Sequence, residues 1–325
     1  MPGSPSFPRA WRARRSPAAG AAVMATATLS VGLDLVGRDV LSRIALAVAA
    51  VAWLALAGDC VVRLLRNPGR WERGTAVPAA LTGVAATTVL GTRIAALEWT
   101  SAAEALLALS TVLWAGLLPS VFRHLPRGMP GSVFLGSVAT QGLAVLGATL
   151  AASETAGWLA RAALVLFWIG IVLYGIALTR FDLRQVAEGA GDQWVATGAL
   201  AISAFAGARL LDASGPRLYL WNDDDRGVLR TVTVALLVLG LCWYSVLLAA
   251  EVARPRLNHD ARRWATVHPM GMTAVAALSG AGAVGLPSLE PLGRALLWVA
   301  VVACLAVATE AGRSAVAAVR STARR

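Results

Sequence analysis

The residues of this chain that could do chemistry are few, and most lie inside apolar runs. Residues 262–280 read RRWATVHPMGMTAVAALSG and set His268, Pro269 and Gly271 close together just after two arginines. Thr266 lies in the same stretch. Other apolar runs carry Thr26, Thr28, Thr87, Thr88, Thr140, Gln141, Thr197, Ser203 and Thr273, with two arginines, Arg93 and Arg209, toward run ends. The runs that hold these groups contain no Asp or Glu. Carboxylates inside a membrane mark proton relays and cation sites, so their absence argues against a cation channel or a carboxylate-relay pump. A hydroxyl-lined path with arginine near one mouth favours anions. The competing reading of Arg93 and Arg209 is snorkelling to the interface, with Asp212 as a partner.

Pro269 cannot donate to the helix ladder and clashes with the preceding turn, so it predicts a kink. Neighbouring helices can satisfy the freed carbonyls. A kinked helix carrying an imidazole at the bend could narrow a path and plug it, and His268, Pro269, Gly271 and Thr266 are the candidate gate. On that reading replacement of His268 by Ala raises conductance. The plainer reading is a histidine hydrogen-bonded to a freed carbonyl.

The elements that must position these groups follow from composition. The 325 residues are 57% hydrophobic and only 14% charged. A soluble domain needs about 25% charged residues, so most of this surface meets lipid. A spanning helix takes roughly 20 mainly apolar residues. Ten such segments run roughly over 17–33, 38–62, 77–97, 102–122, 132–151, 157–179, 194–211, 227–250, 264–285 and 292–312.

The net charge is +11 and every basic residue is arginine. The arginines gather in alternate connections: Arg9, Arg12, Arg14 and Arg15; Arg63, Arg66, Arg70 and Arg73; Arg123 and Arg127; Arg180 and Arg184; Arg254, Arg256, Arg262 and Arg263; Arg313, Arg320, Arg324 and Arg325. By the positive-inside rule these are the cytoplasmic sides. Both termini are therefore expected inside, as tails 1–16 and 313–325 around a membrane domain 17–312. The N-terminus also mimics a signal peptide. No role in nucleic-acid binding is needed to explain this charge. Cys60, Cys242 and Cys304 have neither the spacing nor the number of a metal cluster. Neither a metal nor a cofactor is expected.

The odd segments are rich in Gly, Ala, Ser and Thr, as in PAALTGVAATTVLGTRIAAL. The even ones are bulky, as in ALVLFWIGIVLYGIAL. Small residues let helices pack closely, whereas bulky aliphatics suit lipid. The alternation predicts an all-α membrane protein of five helical hairpins, with an inner ring of odd helices and an outer ring of even ones. Either the inner ring encloses a path, or its small residues merely tighten a solid bundle.

Several short stretches resemble the tellurite-resistance/dicarboxylate transporter family, whose relatives include the plant slow anion channels. In the ninth segment Trp264, Pro269 and Gly271 match a Trp-x-Phe-x-Phe-Pro-x-Gly pattern, with Thr266 and His268 in place of the phenylalanines. Val23, Met24 and Thr26 look like the first-helix signature. Val138, Thr140, Gln141, Leu143 and Ala144 look like the fifth, and Trp194, Gly198, Ala199, Ala201 and Ile202 like the start of the seventh. Leu173, Tyr174 and Arg180 fit the end of the sixth. The resemblance spans almost the whole chain. It implies pseudo-fivefold symmetry about a central pore, a homotrimer, and a plug at the position of His268. A titratable imidazole there implies a leakier or pH-sensitive gate.

The expected function is an anion channel or exporter in the plasma or inner membrane, not an enzyme. Its candidate substrates are chloride, nitrate, sulfite, tellurite and C4-dicarboxylates. The alternatives are a membrane-embedded haem or redox protein, for which only His124, His259 and His268 could serve, and a non-conducting scaffold.

Overall fold

A computed structural model describes residues 18–66, 78–123, 126–189, 191–214, 222–253 and 263–323. The predicted N-terminal tail, the loop arginines Arg70, Arg73, Arg254, Arg256 and Arg262, and His124 and His259 lie outside the described residues. The described residues are helical, with ten long helices. These are α1 (Ala18–Leu35), α2 (Asp39–Arg66), α3 (Thr82–Ala95), α4 (Thr100–Phe122), α5 (Leu135–Glu154), α6 (Gly157–Arg180), α7 (Val195–Ala213), α8 (Asp223–Ala253), α9 (Trp264–Ala283) and α10 (Leu289–Ala323). They correspond one to one with the ten predicted segments. The last helix continues well past the predicted boundary at 312.

Among the described residues seven helices are long and apolar enough to cross a membrane: α2, α4, α6, α8 and α10, and α5 and α7 with their preceding 3-10 turns. The α1 helix is a shorter apolar helix. The described helices that fall short, α1, α3 and α9, all belong to the odd series, and α3 has only 14 residues. In α5 and α7, 94% of the apolar window is buried inside the protein, against 11% in α2 and α4 and 33% in α8. A helix wrapped by other helices has no lipid to satisfy and can carry Thr, Ser and Gly, which lower its hydropathy.

Each odd helix packs on the even helix that follows it. The odd helices also pack on one another in the order α1, α3, α5, α7, α9, and α9 returns to α1. Each even helix returns the chain to the side it came from, so the five odd helices run in the same direction.

The turn from odd to even helix is built the same way at every described hairpin. A residue with φ near +60° follows the helix: Gly37, Glu98, Thr155 and Gly285. One residue later a backbone N–H closes a six-to-one bond: Arg38 to Leu33, Trp99 to Ile94, Ala156 to Ala151 and Leu286 to Ala281. This is the Schellman arrangement, which satisfies carbonyls that a helix end leaves open.

Candidate functional site

The predicted polar groups are spent on hydrogen bonds within the protein. Thr87 of α3 accepts from Nε1 of Trp53 on α2 at 2.8 Å and donates to the Gly83 carbonyl at 2.7 Å. Thr140 of α5 repeats the chain: Trp114 Nε1 on α4 donates to it at 2.8 Å, and it donates to the Gly136 carbonyl at 2.8 Å. Gln141 Nε2 reaches the Phe167 carbonyl of α6 at 3.0 Å, and Thr197 the Gly240 carbonyl of α8 at 2.8 Å. These four groups bind inner helices to outer ones. Thr88, Ser203 and Thr273 are buried and donate to their own helices, at Ala85, Ala199 and Pro269. Thr26 is half-buried and donates to Ala22.

The inter-ring bonds carry a stability prediction. Thr140→Val leaves the N–H of half-buried Trp114 without its acceptor, at a cost of about 1 kcal/mol. Thermal unfolding in detergent is expected to shift down accordingly, whereas Thr111→Val, on the exposed side of α4, should leave the midpoint unchanged.

The His-Pro-Gly stretch packs α9 between its two neighbours. His268 is 3% exposed, and its Nδ1 lies 2.8 Å from Thr28 Oγ1 of α1. Its Nε2 is buried without a partner. The Pro269 ring sits against Gly198 of α7, where an added Cβ would come within 3.0 Å of the ring Cγ. On the other side, Gly271 brings α9 against Thr28, whose Cγ2 an added Cβ would meet at 3.2 Å. The helix runs unbroken through Pro269. Thr266 is half-buried, with its hydroxyl 3.4 Å from the Gly191 carbonyl. None of these four residues borders the space enclosed by the inner ring.

That space is an axial cavity of only about 10 Å³, bordered by side chains from all five inner helices. Val31 comes from α1, Val89 and Thr92 from α3, Val145 from α5, Ile202 and Phe205 from α7, and Met272 from α9, with Gly142 of α5 completing the wall. Room of this size holds about one water. The Thr92 hydroxyl donates to the Thr88 carbonyl at 2.9 Å, so the lining offers an ion almost nothing polar.

Beyond the constriction, toward the C-terminal ends of the inner helices, lies a vestibule of about 370 Å³. Val31 and Thr92 border both spaces. Both predicted arginines open onto it, joined by Asp34, Asp212, Thr149 and Ser153.

Arg93 is 3% exposed and held rigidly: Nη2 lies 2.7 Å from Asp34 Oδ1, and Nε donates to Ser42 Oγ at 2.9 Å. Ser42 is itself clasped to Ser30 by reciprocal hydroxyl-to-carbonyl bonds of 2.7 and 2.8 Å. Nη1 of Arg93 has no partner. Arg209 is held loosely. Its nearest carboxylate oxygen, on Asp212, is 3.8 Å away, its Nε is unpartnered, and its guanidinium lies 5.0 Å from the centre of the Phe205 ring. One side chain therefore faces the vestibule and stacks on an aromatic ring that closes the axis.

Three features here escaped the sequence reading. The sequence points to Asp212 as a partner of Arg209 but not to Asp34, which α1, by extending to Leu35, brings into the vestibule as well. Phe205, four residues before Arg209 and so on the same face of α7, was the available signal for the stack. Thr92, Thr149 and Ser153, not the nine predicted residues, are the hydroxyls bordering these two spaces. Among the described residues no group of three His, Cys, Asp or Glu side chains is placed to hold a metal ion.

The family model for a voltage-dependent anion channel (SLAC1) matches residues 14–311. No curated protein matches the chain.

Proposed function

Because the chain belongs to the voltage-dependent anion channel family, a family of multi-pass membrane proteins, we propose that it passes small anions along the axis of its inner helices. The five hairpins form a pseudo-fivefold ring around one pore per subunit, in a homotrimer of the plasma or inner membrane. The membrane domain spans 17–312 and both tails are cytoplasmic, since the arginine-rich connections mark that side. Candidate cargo is chloride, nitrate, sulfite, tellurite or a C4-dicarboxylate.

The observation that carries this reading is the stacking of two spaces on one axis: a vestibule faced by two arginines, directly beyond an apolar constriction. The two arginines offset Asp34, Asp212 and the helix C-termini at this mouth and offer N–H donors to an anion. An apolar throat the size of one water blocks hydrated ions by excluding their shell. Phe205 is the movable part of that throat, and Arg209 positions it by a cation–π contact worth about 0.5–2 kcal/mol. His268, Pro269 and Gly271 serve this gate indirectly, by fixing α9 so that Met272 reaches the ring.

Proteoliposomes loaded with chloride or nitrate test the reading. Efflux above that of protein-free vesicles, dissipating an imposed anion gradient, is expected. Vesicles whose anion release equals the protein-free control for every member of the candidate set would refute it.

A further inference from the structure

We propose that the outer vestibule is a binding site for one monovalent anion, held between Arg93 and Arg209, and that Asp34 and Asp212 exclude divalent anions from it. This rests on the transport reading above and narrows its cargo.

The donors are identifiable by elimination within the vestibule. The Thr149 hydroxyl is spent on the Val145 carbonyl at 2.8 Å and the Ser153 hydroxyl on the Leu150 carbonyl at 3.0 Å, so both turn lone pairs outward. What remain are the guanidiniums of Arg93 and Arg209, which both border the vestibule, and in which Arg93 Nη1 and Arg209 Nε have no partner in the protein. Arg93 is the fixed half of the site, anchored from α1 and α2 through Asp34 and Ser42. Arg209 is the adjustable half, because its carboxylate contact is long. A guanidinium with unspent N–H groups is a planar donor suited to halide or oxyanion alike.

Valence follows from the charge count. Two arginines and two aspartates leave the vestibule formally neutral. Four inner helices also end there, and helix C-termini carry partial negative charge. The desolvation penalty of an ion grows with the square of its charge, whereas attraction to a fixed set of donors grows only in proportion. A monoanion can recover its hydration from the two guanidiniums. A dianion pays four times the penalty and meets doubled repulsion from Asp34 and Asp212.

Binding to the detergent-solubilised protein tests this without any flux. Thermal midpoints are followed against sodium chloride, nitrate or sulfate, at constant ionic strength with gluconate as the background anion. Chloride and nitrate are expected to raise the midpoint saturably, and sulfate to bind at least tenfold more weakly. Arg209→Gln should abolish the saturable shift. Asp212→Asn, which leaves the donors in place, should tighten sulfate at least tenfold relative to chloride. Sulfate binding as tightly as chloride in the wild type, or an unchanged chloride response in Arg209→Gln, overturns the proposal. If Arg209→Gln does not fold, the Asp212→Asn comparison decides alone: an unaltered sulfate-to-chloride ratio overturns it. Saturable chloride binding in a protein that shows no flux leaves this site standing and removes the transport reading. Flux without saturable binding does the reverse.

Discussion

Phe205→Ala is expected to raise anion efflux from proteoliposomes at least tenfold. The ring is the largest of the side chains closing the axial cavity, and that cavity now has room for about one water. Truncation removes the ring and the contact that holds it under Arg209. The throat then wets, and a wet throat passes ions that a dry one excludes. A tenfold gain needs only about 1.4 kcal/mol off the barrier, less than the apolar closure and the stack together can supply. Removing a buried phenylalanine also costs about 3–5 kcal/mol of stability, so Phe205→Leu is the companion variant. It keeps most of the packing, loses the aromatic face, and should give an intermediate rate. His268→Ala separates the two possible gate positions. With the imidazole bonded to Thr28 and away from the axial cavity, its loss should lower the thermal midpoint and leave efflux within about twofold, by the same logic. A large rise in His268→Ala with none in Phe205→Ala would put the gate on α9.

Arg93→Met is expected to cut efflux at least tenfold and to destabilise the fold by roughly 2–3 kcal/mol. Breaking a buried pair by removing one partner typically costs 3–5 kcal/mol, and the figure is lowered here because Asp34 is 31% exposed and partly screened. The methionine fills much of the arginine stem's volume but offers nothing to Asp34 or Ser42, and the vestibule turns net negative. The double variant Arg93→Met, Asp34→Asn distinguishes architecture from attraction. It removes the stranded carboxylate and should regain most of the lost thermal midpoint, while efflux stays low because the fixed cation is still missing. Recovery of both together would make Arg93 a structural residue only.

The helices were legible because lipid imposes its own length and polarity on whatever faces it. The even segments announce themselves as runs of Val, Leu and Trp, and the alternation with small-residue segments separates inside from outside. The orientation of the hydroxyls was not legible. An inner helix is buried on every side, so polarity does not mark the face that addresses the axis, and a threonine can satisfy itself on the carbonyl four residues back, as Thr140 and Thr273 do. The bulky partners that claim Thr87 and Thr140 are Trp53 and Trp114, in a different segment each time. Both arginines were legible as lying near helix ends, because a charge near the end of an apolar run has few places to go. Of their carboxylate neighbours, Asp212 was legible from its spacing to Arg209 and Asp34 was not, because α1 stays helical for two residues after its apolar run stops. The His-Pro-Gly cluster drew attention for its chemistry, yet the contacts of Pro269 with Gly198 and of Gly271 with Thr28 make it a packing device.

The five inner helices share one direction. In an antiparallel bundle the ends of neighbouring helices cancel; here free N–H groups gather at one mouth and carbonyls at the other. A conduit with unlike ends cannot treat the two directions of travel alike. Its current–voltage curve should therefore rectify even in identical solutions, with the guanidiniums of the vestibule tempering the less hospitable end.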